Sequence, residues 1–531
     1  MNAREATPGR SKGRKALVGG MAVLVLALGA CTGLEESPDE TDTGEEEADS
    51  TDEVEESESA GQPEEDATLI VATSQGIQTL HPAYYRHRQT QNAIQLVMDV
   101  LVDSGGEPRL AESWERVSPT QWEFSLREGV VFHNGETFDA RAVEYTWDRL
   151  HDPELDSPRA PLDPTFESLE VVDDYTVRFT TSTPDDGYPG ARLPLQHILP
   201  PEYHDEVGEE AFAEAPIGTG PFVFEEWVPD QRFVAVANDD YWEDGPEVER
   251  VILRPIPEQA ARIAALQAGE VHIIEGVSVD LAATLSGDVR AESSPGTTMA
   301  HIGMNVEEGP FVDRDLRQGM NHAIDQEELS ESLYGGFAEP LNQLAFSRMD
   351  GYNPDYVGYE YDPELAREML EPIIDETITI ETNPEFAMLA DAVAGQLREI
   401  ELDAQVTVLD APTLLSRTQA GESPLYLISN GFSASQVSAL YVNHFVSERP
   451  TRLTNYESDE LDARWEELQN LPPEEDPVPH YHELNEFMMD VAPWVPLLNP
   501  DLIYGVSNQV EGFEAAPTSR LYLHNVVLRG S

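Results

Sequence analysis

The chain has 531 residues, a formal net charge of −71 and a single cysteine. A chain of this length exceeds what one hydrophobic core can serve, so we expect two to four domains or lobes. The charge argues against nucleic acid as a partner, because phosphate binding needs clustered Lys and Arg, and one cysteine excludes an intramolecular disulfide framework and a cysteine-rich zinc site.

The first residues have the pattern of a secretory signal. A basic start that includes Arg10 and Lys15 precedes an apolar run over residues 16–30, which is short for a membrane span but suits a signal-peptide core. The run ends in Leu-Gly-Ala before Cys31, which resembles the lipid-accepting cysteine of bacterial lipoproteins. We therefore predict a lipoprotein signal peptide over residues 1–31, lipidation at Cys31, and contact with the membrane through this anchor only.

The next segment is acidic and has low complexity. Residues 35–66 hold 17 Asp and Glu and no Lys or Arg, so we expect residues 32–66 to form a disordered acidic tether. From residue 67 onward, 84 Asp and Glu face 26 Arg and no Lys. Salt near 1 M shortens the Debye length to roughly 3 Å, so this excess predicts an acidic surface adapted to salty surroundings.

The body from residue 67 onward interleaves strand and helix patterns. Residues 67–72 form a short apolar run, whereas residues 121–127 and 175–180 alternate polar and apolar side chains, as half-buried strands do. Helical patterns cover residues 258–268, 313–329, 461–468 and 481–489. No repeat period connects these elements, and their alternation predicts a mixed α/β fold.

Motifs for catalysis and metal binding are incomplete. Gly218 and Gly220 supply two of the three glycines of a dinucleotide loop, but Val223 stands where the third should be. A zinc-protease pattern begins at His482 but ends in Glu486, so it lacks the second imidazole. We therefore predict that the protein is not an enzyme and has no cofactor and no metal site, with a secreted cell-surface hydrolase as the alternative.

Seven short blocks follow one another in a fixed order along the body. They are PRLAESWE (108–115), FSLREGVVFHNG (124–135), PIGTGPF (216–222), NDDYW (238–242), ALQAGEV (265–271), LRQGMNHAID (316–325) and APWVPL (492–497). In this order they resemble family 5 of the solute-binding proteins, the extracytoplasmic receptors of peptide and nickel ABC importers. In this family's pattern, Leu-Asp-Pro is usual where Leu80-His81-Pro82 stands, and we interpret His81 as a surface substitution without consequence.

The resemblance implies a two-lobed periplasmic-binding-protein fold with an extra subdomain. Lobe I is expected over residues 67–103, 213–298 and 492–531, the subdomain over 104–212, and lobe II over 299–491. Hinge strands would join the lobes, and the ligand would bind in the cleft between them. The implied partners are the ligand and an ABC permease and ATPase complex.

The resemblance also implies a cleft with aromatic walls and a few hydrogen-bonding groups. The predicted ligand-binding residues are Gln75, Tyr84, Tyr85, Asn305, Phe432, Ser433, Ser435 and Tyr441. In the peptide-binding branch an acidic residue pairs with the α-ammonium of the ligand, but Ser435 stands at that place. Because a buried, unpaired ammonium is costly, the sequence argues against a free-amine peptide and favours a capped peptide, a sugar or another polar solute.

The predicted function is a lipid-anchored receptor that captures such a solute at the outer face of the cytoplasmic membrane and delivers it to an ABC importer. An oligosaccharide or a nickel complex stays open as the ligand. A receptor for a nickel complex would need a histidine in the cleft, and the histidines to inspect are His301, His322 and His444.

Overall fold

A computed structural model describes residues 67–431, 437–447 and 456–530 of the chain. As predicted, the fold is mixed α/β, with a twelve-stranded sheet, a four-stranded antiparallel sheet and a two-stranded sheet. The strands are β1 (Thr68–Thr73), β2 (Ala111–Ser118), β3 (Gln121–Leu126), β4 (Phe166–Asp173), β5 (Thr176–Thr181), β6 (Phe222–Val228), β7 (Arg232–Ala237), β8 (Arg250–Pro255), β9 (Ile273–Ile274), β10 (Val289–Pro295), β11 (Thr298–Met304), β12 (Ala338–Pro340), β13 (Thr377–Thr382), β14 (Asp403–Val408), β15 (Leu425–Gly431), β16 (Trp494–Ser507), β17 (Val510–Glu511) and β18 (Val527–Leu528).

Helices cover both halves of the large sheet and part of the four-stranded sheet. They are α1 (Arg88–Val97), α2 (Ala140–His151), α3 (Tyr188–Arg192), α4 (Pro201–Glu214), α5 (Gln259–Gln267), α6 (Val279–Ala282), α7 (Arg314–His322), α8 (Gln326–Tyr334), α9 (Pro363–Met369), α10 (Ala387–Glu399), α11 (Ala411–Gln419), α12 (Ser438–His444), α13 (Asp459–Gln469) and α14 (Val478–Val491).

The long strand β16 connects the two halves of the large sheet. Its first half pairs with β11 and β12, and its second half pairs with β10 and β9. The strand order is β14-β13-β15-β11-β16-β9-β1-β8-β7-β6. One continuous strand therefore carries both halves, and a bend along it would move one half relative to the other.

The parallel strands of the two halves point toward each other. β1 runs parallel to β9, which is antiparallel to β16, so the carboxyl end of β1 points toward the first half of β16. β15 is antiparallel to β11, which is itself antiparallel to β16, so the carboxyl end of β15 points toward the second half of β16. The carboxyl ends of both groups of strands thus face the region between the halves.

Separate apolar cores lie on the two halves and beneath the four-stranded sheet. One core contains β1, β7 and β8 together with α1, and a second contains β11, β13 and β15 together with α10. A third core fills the space under the sheet β2-β3-β5-β4, where Phe124, Trp147 and Phe179 are fully buried. Each half of the large sheet, and the four-stranded sheet, therefore has an apolar core of its own.

One predicted helix is divided in the structure. Asp313 caps α7 through a bond from the Asp315 amide, as its sequence position predicted. The helical pattern over residues 313–329 nevertheless forms two helices, because Asp325 adopts an extended conformation and its carboxylate accepts the Glu328 amide to begin α8. The side chain of Asp325 thus competes with the helix for local backbone groups.

No described helix is long and apolar enough to cross a membrane. The predicted signal peptide, the lipidation site at Cys31 and the tether over residues 32–66 lie outside the described residues.

Candidate ligand-binding cleft

Polar groups at the carboxyl ends of β1 and β9 are held together by one carboxylate. Glu275, which follows β9, accepts hydrogen bonds from the backbone N–H of Ser74 at 2.6 Å and from its hydroxyl at 2.9 Å. The same oxygen accepts a bond from the side-chain amide of Gln89 at 3.0 Å. Ligands of open α/β sheets bind at the carboxyl ends of parallel strands, so this edge is an ordered candidate surface.

The opposing edge is formed by β15, whose backbone is only partly paired. β15 pairs with β11 along its whole length, from Leu425 to Gly431, but with β13 at Tyr426 and Leu427 alone. Residues 428–431 therefore have one backbone edge with no strand partner among the described residues. The side-chain amide nitrogen of Asn430 is also buried without a hydrogen-bond partner. An extended peptide can pair with an edge of this kind by strand addition.

A cavity of about 640 Å³ lies between the four-stranded-sheet region and the segment that follows β15. Its lining residues come from both regions: Thr165, Thr183, Pro184, Asp185, Asp186, Ala191, Arg192, Ser438, Ala439, Val442, Val446, Asp462, Trp465, Glu466, Gln469 and Asn470. The volume falls within the range of small-molecule sites. Four carboxylates and one guanidinium line the cavity, so it favours a ligand rich in N–H donors or positive charge.

Hydrogen bonds cross one wall of this cavity. Arg116 donates to the backbone carbonyl of Gln469 at 2.7 Å, and the side-chain amide of Gln469 donates to Asp186 at 2.9 Å. The hydroxyl of Tyr481 also donates to Asp186. Burial raises the pKa of the neighbouring carboxyl of Asp185. The cavity wall therefore combines fixed polar contacts with carboxyl groups that are partly removed from water.

The predicted residues before α1 have different surroundings. Gln75 is exposed and lies just beyond β1, at the edge described above. Tyr84 is half-buried with its ring 4.8 Å from that of His81. Tyr85 is buried, and the guanidinium of Arg159 lies 3.8 Å from the centre of its ring. The structure thus places Gln75 near the carboxyl end of β1 but packs Tyr85 inside the protein.

Asn305 lies at the other edge of its half. It follows β11, which points away from the carboxyl end of β15, and its side-chain amide donates to the carbonyl of Gly421 at 2.7 Å. Its side-chain oxygen accepts the amides of Glu307 and Glu308 at 3.0 Å each. These bonds hold a turn, and they do not place Asn305 with Gln75.

Tyr441 lies in α12, which borders the cavity, but its side chain is buried against Phe445 and Trp465. Its hydroxyl has no hydrogen-bond partner among the described residues. The predicted residues Phe432, Ser433 and Ser435 lie outside the described residues, so their place at the end of β15 stays a prediction.

His301, His322 and His444 do not form a common site. His301 is stacked on Trp494 at 3.7 Å, and its burial lowers its pKa to about 3. His444 lies 5.2 Å from Trp494, and its pKa is also lowered by burial, to about 4. His322 lies elsewhere, with Nδ1 at 2.8 Å from the carbonyl of Glu360. Two of these rings are therefore core groups packed against one tryptophan.

His81 is buried, so its interpretation as a surface substitution is wrong. Its ring, that of His204 and the carboxylate of Glu209 place one atom each within 4.8 Å of one another, the spacing of metal ligands. However, Nδ1 of His81 accepts the amide of Ala83, which leaves the proton on Nε2, the atom that would need a free lone pair. Arg149 also pairs with Glu209. The cluster is best explained as a hydrogen-bonded network.

Comparison with known proteins decides the family. The family model described as bacterial extracellular solute-binding proteins, family 5 middle, matches residues 106–451. The chain belongs to this family. It is therefore a two-lobed solute-binding protein of the ABC importer type, and relatives that it resembles are named as solute-binding proteins.

The relatives of this chain are named for different solutes. The chain is 27% identical over 413 residues to the glutathione-binding protein GsiB of Salmonella paratyphi A, covering 74% of this chain and 80% of GsiB. It is 25% identical over 455 residues to heme-binding protein A of Haemophilus influenzae, covering 77% and 82%. The solved structure of HbpA2 from Haemophilus parasuis has a TM-score of 0.78 at 23% identity, covering 87% of this chain and 100% of that one.

Proposed function

We propose that this protein captures a peptide or peptide-like polar solute between its lobes and delivers it to the permease and ATPase of an ABC importer. The observation that carries the choice of solute is the backbone edge of residues 428–431, which pairs with β11 on one side only. Residues 428–431 form the carboxyl end of β15, which points toward the second half of β16, so a backbone bound along them would reach the region between the two halves of the sheet.

The proposed lobes correspond to the two halves of the large sheet, except that the first half of β16 pairs with strands of lobe II. Lobe I comprises residues 67–103, 213–298 and 492–531, and lobe II comprises residues 299–491, with a subdomain over residues 104–212. The passages between the lobes would then be the junction of β10 with β11 and the strand β16. β16 pairs with β10 in one half and with β11 in the other. Bending at these two passages would close the cleft on the ligand.

The proposed location is the outer face of the cytoplasmic membrane, with a lipid on Cys31 as the anchor. The basic start, the apolar run and the small residues before Cys31 support this anchor. Stable attachment needs two or more acyl chains, and the lipid of bacterial lipoproteins is of this kind. The tether over residues 32–66 would leave the binding body free to reach its permease.

Two observations bear on the alternative solutes. The cavity beside the cleft has four carboxylates and one guanidinium, which favours the amide donors of a peptide over a carboxylate-rich metal chelate. His301 and His444 are buried against Trp494, so neither is presented to a nickel complex. An oligosaccharide would use the same hydrogen-bonding groups but would not need the strand edge of β15.

The test is a thermal-shift screen of the full-length protein against short peptides, their N-acetylated forms, oligosaccharides and nickel–histidine complexes. A solute at 100 times its dissociation constant should stabilise the fold by about 2.7 kcal/mol. We expect peptides to shift the unfolding temperature and the other two classes to leave it unchanged. Stabilisation by an oligosaccharide or a nickel complex, without any by a peptide, would contradict the proposal.

A further inference from the structure

Most arginines of this protein are bonded to acceptors, as expected where 84 Asp and Glu face 26 Arg in the body. Of the arginines that the structure describes, only Arg86, Arg88 and Arg348 have neither a hydrogen bond nor an ion pair. All three are exposed, and the charge of Arg348 acts on Asp501. Arg86 and Arg88 thus have no bonded acceptor in a strongly acidic molecule, and the position of Arg88 bears on the ligand.

The first turn of α1 lies at the edge of the sheet that faces the cleft. The side-chain amide of Gln89 donates to the hydroxyl of Ser74 at 3.1 Å and to the carboxylate of Glu275 at 3.0 Å. Ser74 directly follows β1, and Glu275 directly follows β9. The carboxyl ends of these two parallel strands face the region between the halves of the sheet. The two bonds therefore place Arg88, the first residue of α1, at this edge.

The guanidinium of Arg88 lies in a recess that solvent can enter. Removal from water lowers the pKa of Arg88 although the residue is exposed, so protein surrounds a group that solvent still reaches. The other titratable groups that act on it are Tyr504, Arg520, Glu275 and Tyr85.

The charges around Arg88 do not cancel. Burial raises the pKa of Tyr504 and Tyr85, so both hydroxyls are neutral near pH 7. Glu275 is the one carboxylate of the set, and its Oε1 already accepts three hydrogen bonds, two from Ser74 and one from Gln89. Arg520 adds a second positive charge. The recess therefore keeps a net positive charge at an edge where a solute can approach.

A guanidinium selects a particular kind of acceptor. Its planar fork of N–H donors matches the two oxygens of a carboxylate, and such charge-assisted pairs are stronger than bonds between neutral groups. An amide in place of the carboxylate offers one oxygen and no charge. An unpaired arginine in an open, positively charged recess thus favours a solute with a free carboxylate.

We propose that Arg88 binds the carboxylate of the solute and makes this receptor selective for a peptide-like acid over its neutral amide. This inference rests on the proposed function, and it adds the chemical class of one end of the solute. The carboxyl end of β15 points toward the second half of β16. A peptide that runs parallel to β15 along residues 428–431 would carry its carboxylate in that direction, toward the half of the sheet that holds Arg88.

The test is calorimetry with one peptide in two forms, the free acid and its C-terminal amide. The peptide is the one that gives the largest thermal shift, and the proteins are wild type, Arg88→Gln and Arg86→Gln. We expect amidation to weaken binding to wild type by about tenfold or more. Arg88→Gln should bind both forms as weakly as wild type binds the amide. Arg86→Gln removes the same charge two positions earlier and should keep the wild-type preference.

Folding is checked separately, by urea unfolding of both variants. Neither arginine is bonded within the described part of the chain, so both variants should unfold at the same urea concentration as wild type. Weakened binding by a variant that keeps this midpoint then reports on the cleft and not on loss of the fold.

The outcomes separate this inference from the proposed function. Equal binding of acid and amide by wild type, or a preference for the acid that Arg88→Gln retains, would overturn the role of Arg88 while peptide capture stands. An equal loss of preference in both variants would also overturn it, because net charge rather than a contact would then be the cause. Failure of every peptide to bind would contradict the proposed function and this inference together.

Discussion

At the scale of single residues, buried imidazoles make stability depend on pH. Burial lowers the pKa of His81 and His301 to about 3 and that of His204 and His444 to about 4. In the unfolded chain a histidine takes up its proton near pH 6.5. Between pH 6.5 and about 4 the unfolded state therefore binds more protons than the folded state. The free energy of unfolding has its full value above this window and decreases as the pH falls through it.

Replacing one of these histidines should weaken the pH dependence. Phe in place of His301 can stack on Trp494 but does not titrate, so His301→Phe should reduce the slope of the unfolding free energy between pH 4.5 and 6 by about 1.4 kcal/mol per pH unit. Urea unfolding at several pH values measures this slope. The control is Phe445→Leu, which changes packing against the same Trp494 without removing a titratable group and should keep the wild-type slope. An equal slope in His301→Phe and wild type would contradict the prediction.

A substitution at Ser435 tests whether the cleft recognises the α-ammonium of a peptide. The resemblance to the peptide-binding branch predicts that Ser435 stands where that branch has its acid. If it does, Ser435→Asp should weaken binding of the native solute by about tenfold, which corresponds to 1.4 kcal/mol, because it would place a charge without a cation in the cleft. Calorimetry of both proteins with a free-amine peptide and its N-acetylated form makes the measurement. If wild type binds the free amine strongly and loses it on acetylation, another carboxylate, such as Asp186, supplies the partner.

His81 shows where prediction from sequence fails at this scale. The residues next to His81 in sequence do not indicate that its side chain is buried, because the ring that contacts it, that of His204, is 123 residues away in sequence. Glu275 was missed for the same reason, since its donors come from residues 74 and 89. Gln75 lies near the carboxyl end of β1, where a recognisable strand pattern ends, and its contact with the ligand stays a prediction. The local pattern locates the end of a strand but not the partners that tertiary structure brings to it.

At the scale of elements, periodic patterns predicted the strands and helices well. The strand patterns at residues 67–72 and 121–127 correspond to β1 and β3, and the helical pattern at 258–268 corresponds to α5. These elements bury one face, so their sequences carry the period of that face. Residues 313–329 form two helices because a local hydrogen bond at Asp325 overrides the general helix preference of the segment.

The strand edge of β15 should recognise the backbone of the solute. If residues 428–431 pair with an extended peptide, replacing the peptide's amide hydrogens by methyl groups removes donors and blocks approach of the strands. We expect N-methylation of one central amide to weaken binding by about tenfold or more, the equivalent of about 1.4 kcal/mol. The control is N-methylation of the peptide's last amide, and calorimetry measures both. Equal affinity of all three peptides would contradict pairing with this edge.

At the scale of the whole molecule, the proposed anchor rests on one residue. Cys31→Ala removes the thiol that would carry the lipid, and no described helix can span a membrane. We therefore expect the variant to appear in the soluble fraction of fractionated cells, while wild type stays with the membrane after salt and carbonate washing. A conservative substitution in the tether, Ser57→Ala, should leave wild type's distribution unchanged. Membrane retention of Cys31→Ala would contradict a lipid anchor.

The measurement that tests the account most directly is the distance across the cleft with and without solute. Spin labels at Glu258→Cys and Glu385→Cys, in a Cys31→Ala background, would lie just beyond the carboxyl ends of β8 and β13 on the two opposing halves; both side chains are exposed. Adding the peptide that gives the largest thermal shift should shorten the mean distance between the labels. An unchanged distance at saturating peptide would contradict capture of the solute by closure of the two lobes.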